Sequence, residues 1–242
     1  MAAVVDISSY VVISLLLGFI PPALWLWFWI REDLHPEPRK EIMIVFLAGM
    51  ASVVFAVLFE KSIYSLNSRV REIWQYSSFS FQFINIIGFA FVEELVKVGA
   101  AYWTALKSKF FDEPVDAMVY MVTAALGFAA LENVFFIGES LKSGVEQSII
   151  VSAFRFINAS LLHISASAII GAGLAMSFFH KERRVKELLG GILIATFLHV
   201  LYNFFIINST WSAASQAWLV GIVITGGFVS LILFERARRE MI

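Results

Sequence analysis

Apolar stretches of about twenty residues alternate with short polar connections along almost the whole chain. Crossing the hydrocarbon core of a bilayer takes roughly 20 mainly apolar residues in helical form. Seven stretches meet that requirement: 7–30, 41–59, 83–106, 115–138, 148–179, 187–207 and 212–234. Each predicts a helix, because in hydrocarbon a lone segment must satisfy its own backbone hydrogen bonds. The fifth is too long for a simple crossing, so it is expected to be tilted, to extend past the bilayer or to be broken. The connections are short except for 60–82. There Ile63, Leu66, Val70 and Trp74 recur at helical spacing among Lys61, Arg69, Arg71 and Glu72. That pattern fits a helix lying on the membrane surface or prolonging the second span. With no soluble segment, low-complexity tract or internal repeat, residues 1–242 read as one membrane-embedded domain. The expected class is an all-α polytopic membrane protein of about seven transmembrane helices.

Composition agrees. Of 242 residues, 60% are hydrophobic and 15% charged, and mean hydropathy is +0.81. Soluble domains run near 45–50% apolar and about 25% charged, so a soluble globule and a disordered chain are both excluded. Eighteen Lys and Arg balance 19 Asp and Glu, which argues against a nucleic-acid partner. The absence of cysteine removes disulfides, thiolate nucleophiles and Cys metal sites. The first ten residues hold no Lys or Arg and carry Asp6, so no cleavable signal peptide is expected.

Loop cations set the orientation. Lys61, Arg69, Arg71 and Lys142 fall on one side. The other side takes Arg31, Arg39, Lys40, Lys107, Lys109, Lys181, Arg183, Arg184, Lys186, Arg236, Arg238 and Arg239. The excess places the N-terminus outside and the C-terminus in the cytoplasm, in keeping with an odd number of spans.

Charged groups inside spans cost a few kcal/mol each on insertion scales and mark functional sites. Here they are Glu93, Glu94 and Lys97 in the third span, Glu132 in the fourth, Arg155 and His163 in the fifth, and His199 in the sixth, with Asn133, Asn158 and Asn203 as uncharged companions. On a helix, Lys97 lies within reach of both Glu93 and Glu94. It can neutralise one while the other faces a cavity, although a packing ion pair without chemistry has the same spacing. Glu132 has no cation on its own helix, so its partner comes from another span. A protonated Glu bridging helices is the bland alternative. His199 and Asn203 share a face at i,i+4, which suits two donors converging on an oxyanion. Arg155 either snorkels outward or pairs with a carboxylate, and a structural role is expected.

Depth makes the set more specific than its members. At ~1.5 Å per residue, Glu93 lies roughly 15 Å below the outer boundary, Glu132 roughly 9 Å, His199 roughly 12 Å and His163 roughly 23 Å. Three of the four share one layer in the outer half of the bilayer, so convergence on one site is expected.

These residues carry a resemblance. Glu93-Glu94-x-x-Lys97, Phe128-x-x-x-Glu132-Asn133, the mid-span His163 preceded by Arg155 and followed by Gly171, and His199-x-x-x-Asn203 occur in order on consecutive spans. With Asp116 and Tyr120 upstream of Glu132, and Pro21-Pro22, Asp33 and His35-Pro-Glu-Pro38 near the start, the chain resembles the PrsW family of intramembrane proteases. That family is related to CaaX prenyl endopeptidases and bacteriocin-immunity proteins. The likeness covers Pro21 to about Asn208; the last span and the 60–82 segment carry no matched motif. It implies a protease-like domain in a prokaryotic cytoplasmic membrane that cuts transmembrane protein substrates, anti-sigma factors among them. Glu93 would activate water with Glu132 or His163, while His199 and Asn203 steady the oxyanion and Glu94, Lys97, Asn133 and Arg155 support them. A base, a donor to the leaving amine and oxyanion donors are what water attack on a peptide needs.

A glutamic-type site without a cofactor is expected. Glu93, Glu132, His163 and His199 nevertheless also form a donor set for a divalent metal such as zinc. The rival classes are a proton- or ion-coupled transporter and a non-catalytic membrane protein of the same fold. The missing internal repeat and the lack of paired broken helices count against the transporter. A retinal-type photoreceptor falls because the last span has no Lys.

Overall fold

The computed structural model describes residues 7–33, 35–208 and 213–239. They form eight α-helices: α1 (Ile7–Glu32), α2 (Arg39–Trp74), α3 (Ser78–Thr104), α4 (Asp116–Ser140), α5 (Val145–Ile157), α6 (Ala159–Met176), α7 (Arg184–Asn208) and α8 (Ala213–Arg239). Short 3-10 turns at Leu141–Ser143 and Lys181–Arg183 precede α5 and α7. No strand occurs among the described residues.

Six segments are long and apolar enough to cross a membrane: Ser8–Arg31, Arg39–Trp74, Asp116–Ser143, Val145–Met176, Lys181–Asn208 and Ala217–Arg239. The remaining helix, α3, is 27 residues long, but Glu93, Glu94 and Lys97 interrupt its apolar run. Apolar side chains cover the outside of the bundle, including Val54, Phe55, Leu58, Leu193, Phe197 and Ile232. The protein is therefore an all-α integral membrane protein.

The fifth apolar stretch is broken. α5 and α6 meet at Asn158, a single residue between the two helices whose φ of −88° and ψ of −63° lie at the edge of the right-handed helical region. The 60–82 segment prolongs the second span. α2 runs 36 residues to Trp74, about 54 Å at ~1.5 Å per residue, so it projects well beyond a core of ~30 Å. It stops at Gln75, a left-handed residue (φ 48°) whose N–H donates to the Arg71 carbonyl. Ser77 then caps α3, its Oγ accepting from the Ser80 N–H at 3.1 Å. Asn67 ties the hairpin together by donating to Asn85 Oδ1 (2.9 Å) and to the Phe81 carbonyl (3.0 Å).

At the centre stands α4, buried at every position from Asp116 to Ala130 and packed against α1, α2 and α6. A helix enclosed on all sides is apolar nearly all round; over this stretch the polar side chains are Asp116, Tyr120 and Thr123. Two glycines bring α2 into backbone contact with it. A Cβ on Gly127 would come within 2.0 Å of the Phe46 carbonyl oxygen, and one on Gly49 within 2.1 Å of the Ala124 oxygen. On α6, a Cβ on Gly171 would sit 2.6 Å from Met118 Cα. Small residues let membrane helices approach this closely.

The connections 33–38, 105–115 and 177–183 meet at one end of the bundle. His35 Nδ1 is 3.0 Å from Glu113, the Phe111 and Phe178 rings lie 5.2 Å apart, and Tyr120 donates its hydroxyl to Glu37. Asp116 Oδ2 accepts the N–H groups of Asp112 (3.0 Å) and Glu113 (2.7 Å). Burial pushes the Glu37 carboxyl above its ordinary range, against the opposing effect of hydrogen bonds with Tyr120 and Asp116. Asp33 is likewise raised by burial.

Candidate active site

Five helices each bring polar groups to one place. On α3, Glu93, Glu94 and Lys97 are all buried. Glu94 is the carboxylate that holds the lysine: Lys97 Nζ donates to Glu94 Oε1 at 2.6 Å. The same Oε1 lies 2.7 Å from His199 Nδ1 on α7. Lys97 Nζ also lies 3.2 Å from His163 Nδ1 on α6. His163 Nε2 stands 3.1 Å from Glu132 Oε2 on α4. Arg155, from α5, closes the network: Nη2 donates to Glu132 Oε2 and Nε to Asn133 Oδ1, each at 2.5 Å. The His163 and His199 rings meet edge to face at 5.4 Å.

Hydrogen-bond logic assigns the ring protons. A lysine ammonium can only donate, so His163 Nδ1 accepts from Lys97 and Nε2–H donates to Glu132. Glu94 already accepts from Lys97, so His199 donates to it through Nδ1–H. That leaves His199 Nε2 as a lone pair, 3.7 Å from Glu93 Oε2. Glu93 makes no hydrogen bond among the described residues, and its Oε2 is shut away from solvent. With Glu93 ionised, two electron-pair donors face one another there, too far apart to bond directly. What such a pair accepts is a water O–H or a cation.

Most of the charged groups singled out along the spans therefore converge. The common depth read for Glu93, Glu132 and His199 is matched by this cluster, and His163 joins it despite its greater estimated depth. The count for His163 starts at residue 148, but the first part of that stretch is α5, which ends at Ile157. Measured from the break, His163 is just over one turn into α6. Arg155 is tied to Glu132 and Asn133 rather than snorkelling away from them. Asn203 is half-buried one turn beyond His199 and takes no part in the hydrogen bonds of the cluster. The structure does not pair it with His199 on a common acceptor.

One acidic neighbour escaped the reading of the spans. Glu60 directly follows the apolar run of α2 and looks like the first residue of a loop. In the structure it continues the inward stripe of Val53 and Ala56. Across the hairpin, Asn67 meets Asn85, Ile63 meets Gly88 and Ala56 clusters with Val92 and Val96. That register sets Glu60 beside Val92, one residue from Glu93. Its charge acts on both Glu93 and Glu132. The helical continuation through Ile63 and Leu66 was the available signal.

The profile described as PrsW family intramembrane metalloprotease matches residues 37–232. The chain belongs to the PrsW family. Among its curated PrsW relatives is Protease PrsW of Geobacillus kaustophilus, 28% identical over 76% of this chain and 75% of that protein. Protease PrsW of Bacillus subtilis is 28% identical over 75% and 77%, and that of Clostridioides difficile 29% identical over 81% of each. These PrsW relatives support an intramembrane protease. No solved structure matches the chain.

The PrsW profile's description implies a metal, and the donor set fits one. Glu93, His163 and His199 each offer a ligand atom, all within 4.8 Å of one another. Two imidazoles and a carboxylate suit zinc with a position left for water. Glu93 Oε2 and His199 Nε2 already present lone pairs. His163 would have to release Lys97 or Glu132 to present a third.

Proposed function

We propose that the protein is an intramembrane endopeptidase that hydrolyses peptide bonds of transmembrane protein substrates with water activated by Glu93. The observation that carries this reading is the Glu93 Oε2–His199 Nε2 pair: a buried carboxylate oxygen and an imidazole lone pair facing one another across 3.7 Å. A water held there would lose a proton to Glu93 or His199 as its oxygen attacks the scissile carbonyl. His199 can take the charge because Glu94 accepts its Nδ1–H, the arrangement by which a carboxylate orients and stabilises an imidazolium. Lys97 in turn neutralises Glu94. The acquired proton then passes to the leaving amine. On the other side of the cluster, Arg155 and the Asn133 amide, whose Nδ2 has no acceptor, are donors suited to a developing oxyanion.

A metal-independent, glutamic-type site is the better reading, since both His163 nitrogens are already hydrogen-bonded. The second reading is a metalloprotease, favoured by the spacing of Glu93, His163 and His199. A zinc ion held by them would supply Lewis-acid polarisation and a more acidic water. With the orientation read from the loop cations, the cluster would lie toward the extracytoplasmic side of a bacterial cytoplasmic membrane. There it would cut near the outer end of a substrate helix such as that of an anti-sigma factor.

Membrane proteomes from cells carrying the wild type or Glu93→Gln test the proposal. Transmembrane proteins shortened in the first and intact in the second are expected. If Glu93→Gln and His199→Ala both cleave as well as the wild type, the reading fails. Purified protein that still cleaves under chelation supports the glutamic type; loss of cleavage restored by Zn²⁺ selects the metal.

A further inference from the structure

A second polar feature lies just past the C-terminal end of α3 and shares no residue with the cluster. There the 105–115 connection, the 177–183 connection and the start of α7 line a cleft of about 640 Å³, inside the roughly 300–1,000 Å³ range of ligand sites. Its charged lining is Lys107, Lys181, Arg184 and Glu182. Glu182, exposed at the rim, lies 3.5 Å from His180 Nδ1. Among the described residues, none of the three cations pairs with a carboxylate. Lys107 instead holds its ammonium over the Trp103 ring at 3.9 Å and the Tyr102 ring at 4.5 Å. The Arg184 guanidinium lies 5.7 Å from the Phe111 ring centroid, and its Nε–H is shut off from solvent without an acceptor.

The placement of these cations is itself unfavourable. Arg184 and Lys186 lie in the first turn of α7 and Arg183 directly before it, next to the positive end of the helix dipole, where anions are favoured and cations repelled. Glu187 is the acidic residue in that turn. An anion in the cleft would reconcile the helix end, the unpaired cations and the orphaned Nε–H together. Its walls name the kind of anion. Leu106, Phe178 and Phe179 line the cleft, and the exposed Trp103, Phe179 and Val185 carry an apolar surface away from it along the helices that cross the membrane. The ligand is charged at one end and apolar at the other.

We propose that this cleft binds the phosphate of an anionic phospholipid, with Lys107, Lys181 and Arg184 on the phosphate and the aromatic walls along the first part of the acyl chains. Basic pockets between transmembrane helices hold anionic headgroups in this way. The site is separate from the Glu93 cluster, so the proposal stands independently of the proteolytic reading.

Native mass spectrometry of the purified full-length chain, titrated with dioleoyl phosphatidylglycerol, dioleoyl phosphatidylcholine or inorganic phosphate, tests it. The expected result is one phosphatidylglycerol retained about tenfold more tightly than phosphatidylcholine, ~1.4 kcal/mol, and not displaced by inorganic phosphate in large excess. Lys181→Gln combined with Arg184→Gln is expected to remove that preference. Lys61→Gln combined with Arg69→Gln, at the other end of the bundle, is expected to keep it. Should the first pair fail to give monodisperse helical protein, Lys107→Gln carries the test, since Lys107 makes ring contacts alone. Equal retention of the two lipids, or an unchanged preference in the cleft variants, overturns the proposal. Displacement by inorganic phosphate overturns the lipid as the source.

Discussion

Glu93 and Glu94 are adjacent in the chain and opposite in their duties, and substitution should separate them. Glu93 makes no hydrogen bond, so Glu93→Gln is expected to lower cleavage by about 10²–10⁴-fold, the usual contribution of a general base, with thermal stability in detergent nearly unchanged. Glu94 anchors Lys97 and His199. Glu94→Gln would leave a buried ammonium uncompensated, a loss of about 3–5 kcal/mol, so both cleavage and melting temperature should fall. Arg155 offers a second contrast. Arg155→Lys keeps the charge but loses the fork that spans Glu132 and Asn133. Its cleavage rate should drop, Asn133→Ala should drop it too, and the double variant should be less impaired than additivity predicts. These residues were legible as charges out of place in apolar spans. Their partners were not, because the contacts that define them join positions 66 and 105 residues apart, and one chain carries no local mark of such pairings. Glu60 was hidden for a different reason: it sits where an apolar run stops, and the run stops before the helix does.

Among the helices, α4 depends most on the absence of side chains. Gly127→Ala would drive a Cβ into the Phe46 carbonyl, a backbone atom that cannot swing aside. Overpacking of this kind costs about 1–3 kcal/mol, and it would move α2 relative to the Phe128–Glu132 segment. A lower yield of folded protein and a lower melting temperature are expected. Gly99 on α3 is the control: nothing lies within 4 Å of its would-be Cβ, so Gly99→Ala should fold as the wild type does. Span positions were readable because hydrocarbon demands long apolar helices. The ends of α2 and the division of α5 from α6 were not. The first depends on the Asn67–Asn85 hydrogen bond across the hairpin, and the second on how α5 leans against α1 and α4. Neither leaves a periodicity to read.

For the molecule as a whole, the junction of Glu37, Tyr120 and Asp116 locks the first loop to the base of α4 and should make stability pH-dependent. Burial raises the Glu37 carboxyl in the folded protein above the ordinary 4.5 of the unfolded chain. The native state therefore holds that proton more tightly, and its contribution is complete below about pH 4.5 and lost as pH rises through the elevated native value. Glu37→Gln keeps an acceptor for Tyr120 without the charge. Its melting temperature in detergent should exceed that of the wild type near neutral pH and match it in acid. The general architecture, a bundle with a polar centre, was evident from the chain alone, whereas the way α4 threads between α2 and α6 depends on glycine contacts that only the assembled helices reveal. The ring formed by Glu94, Lys97, His163 and His199 also has a consequence for biogenesis. Its first member is synthesised more than a hundred residues before its last, and the ring is not closed until α7 brings His199 to Glu94. A nascent chain, or one arrested part-way through insertion, therefore lacks the His199 member of the cluster and leaves Glu94 with Lys97 alone.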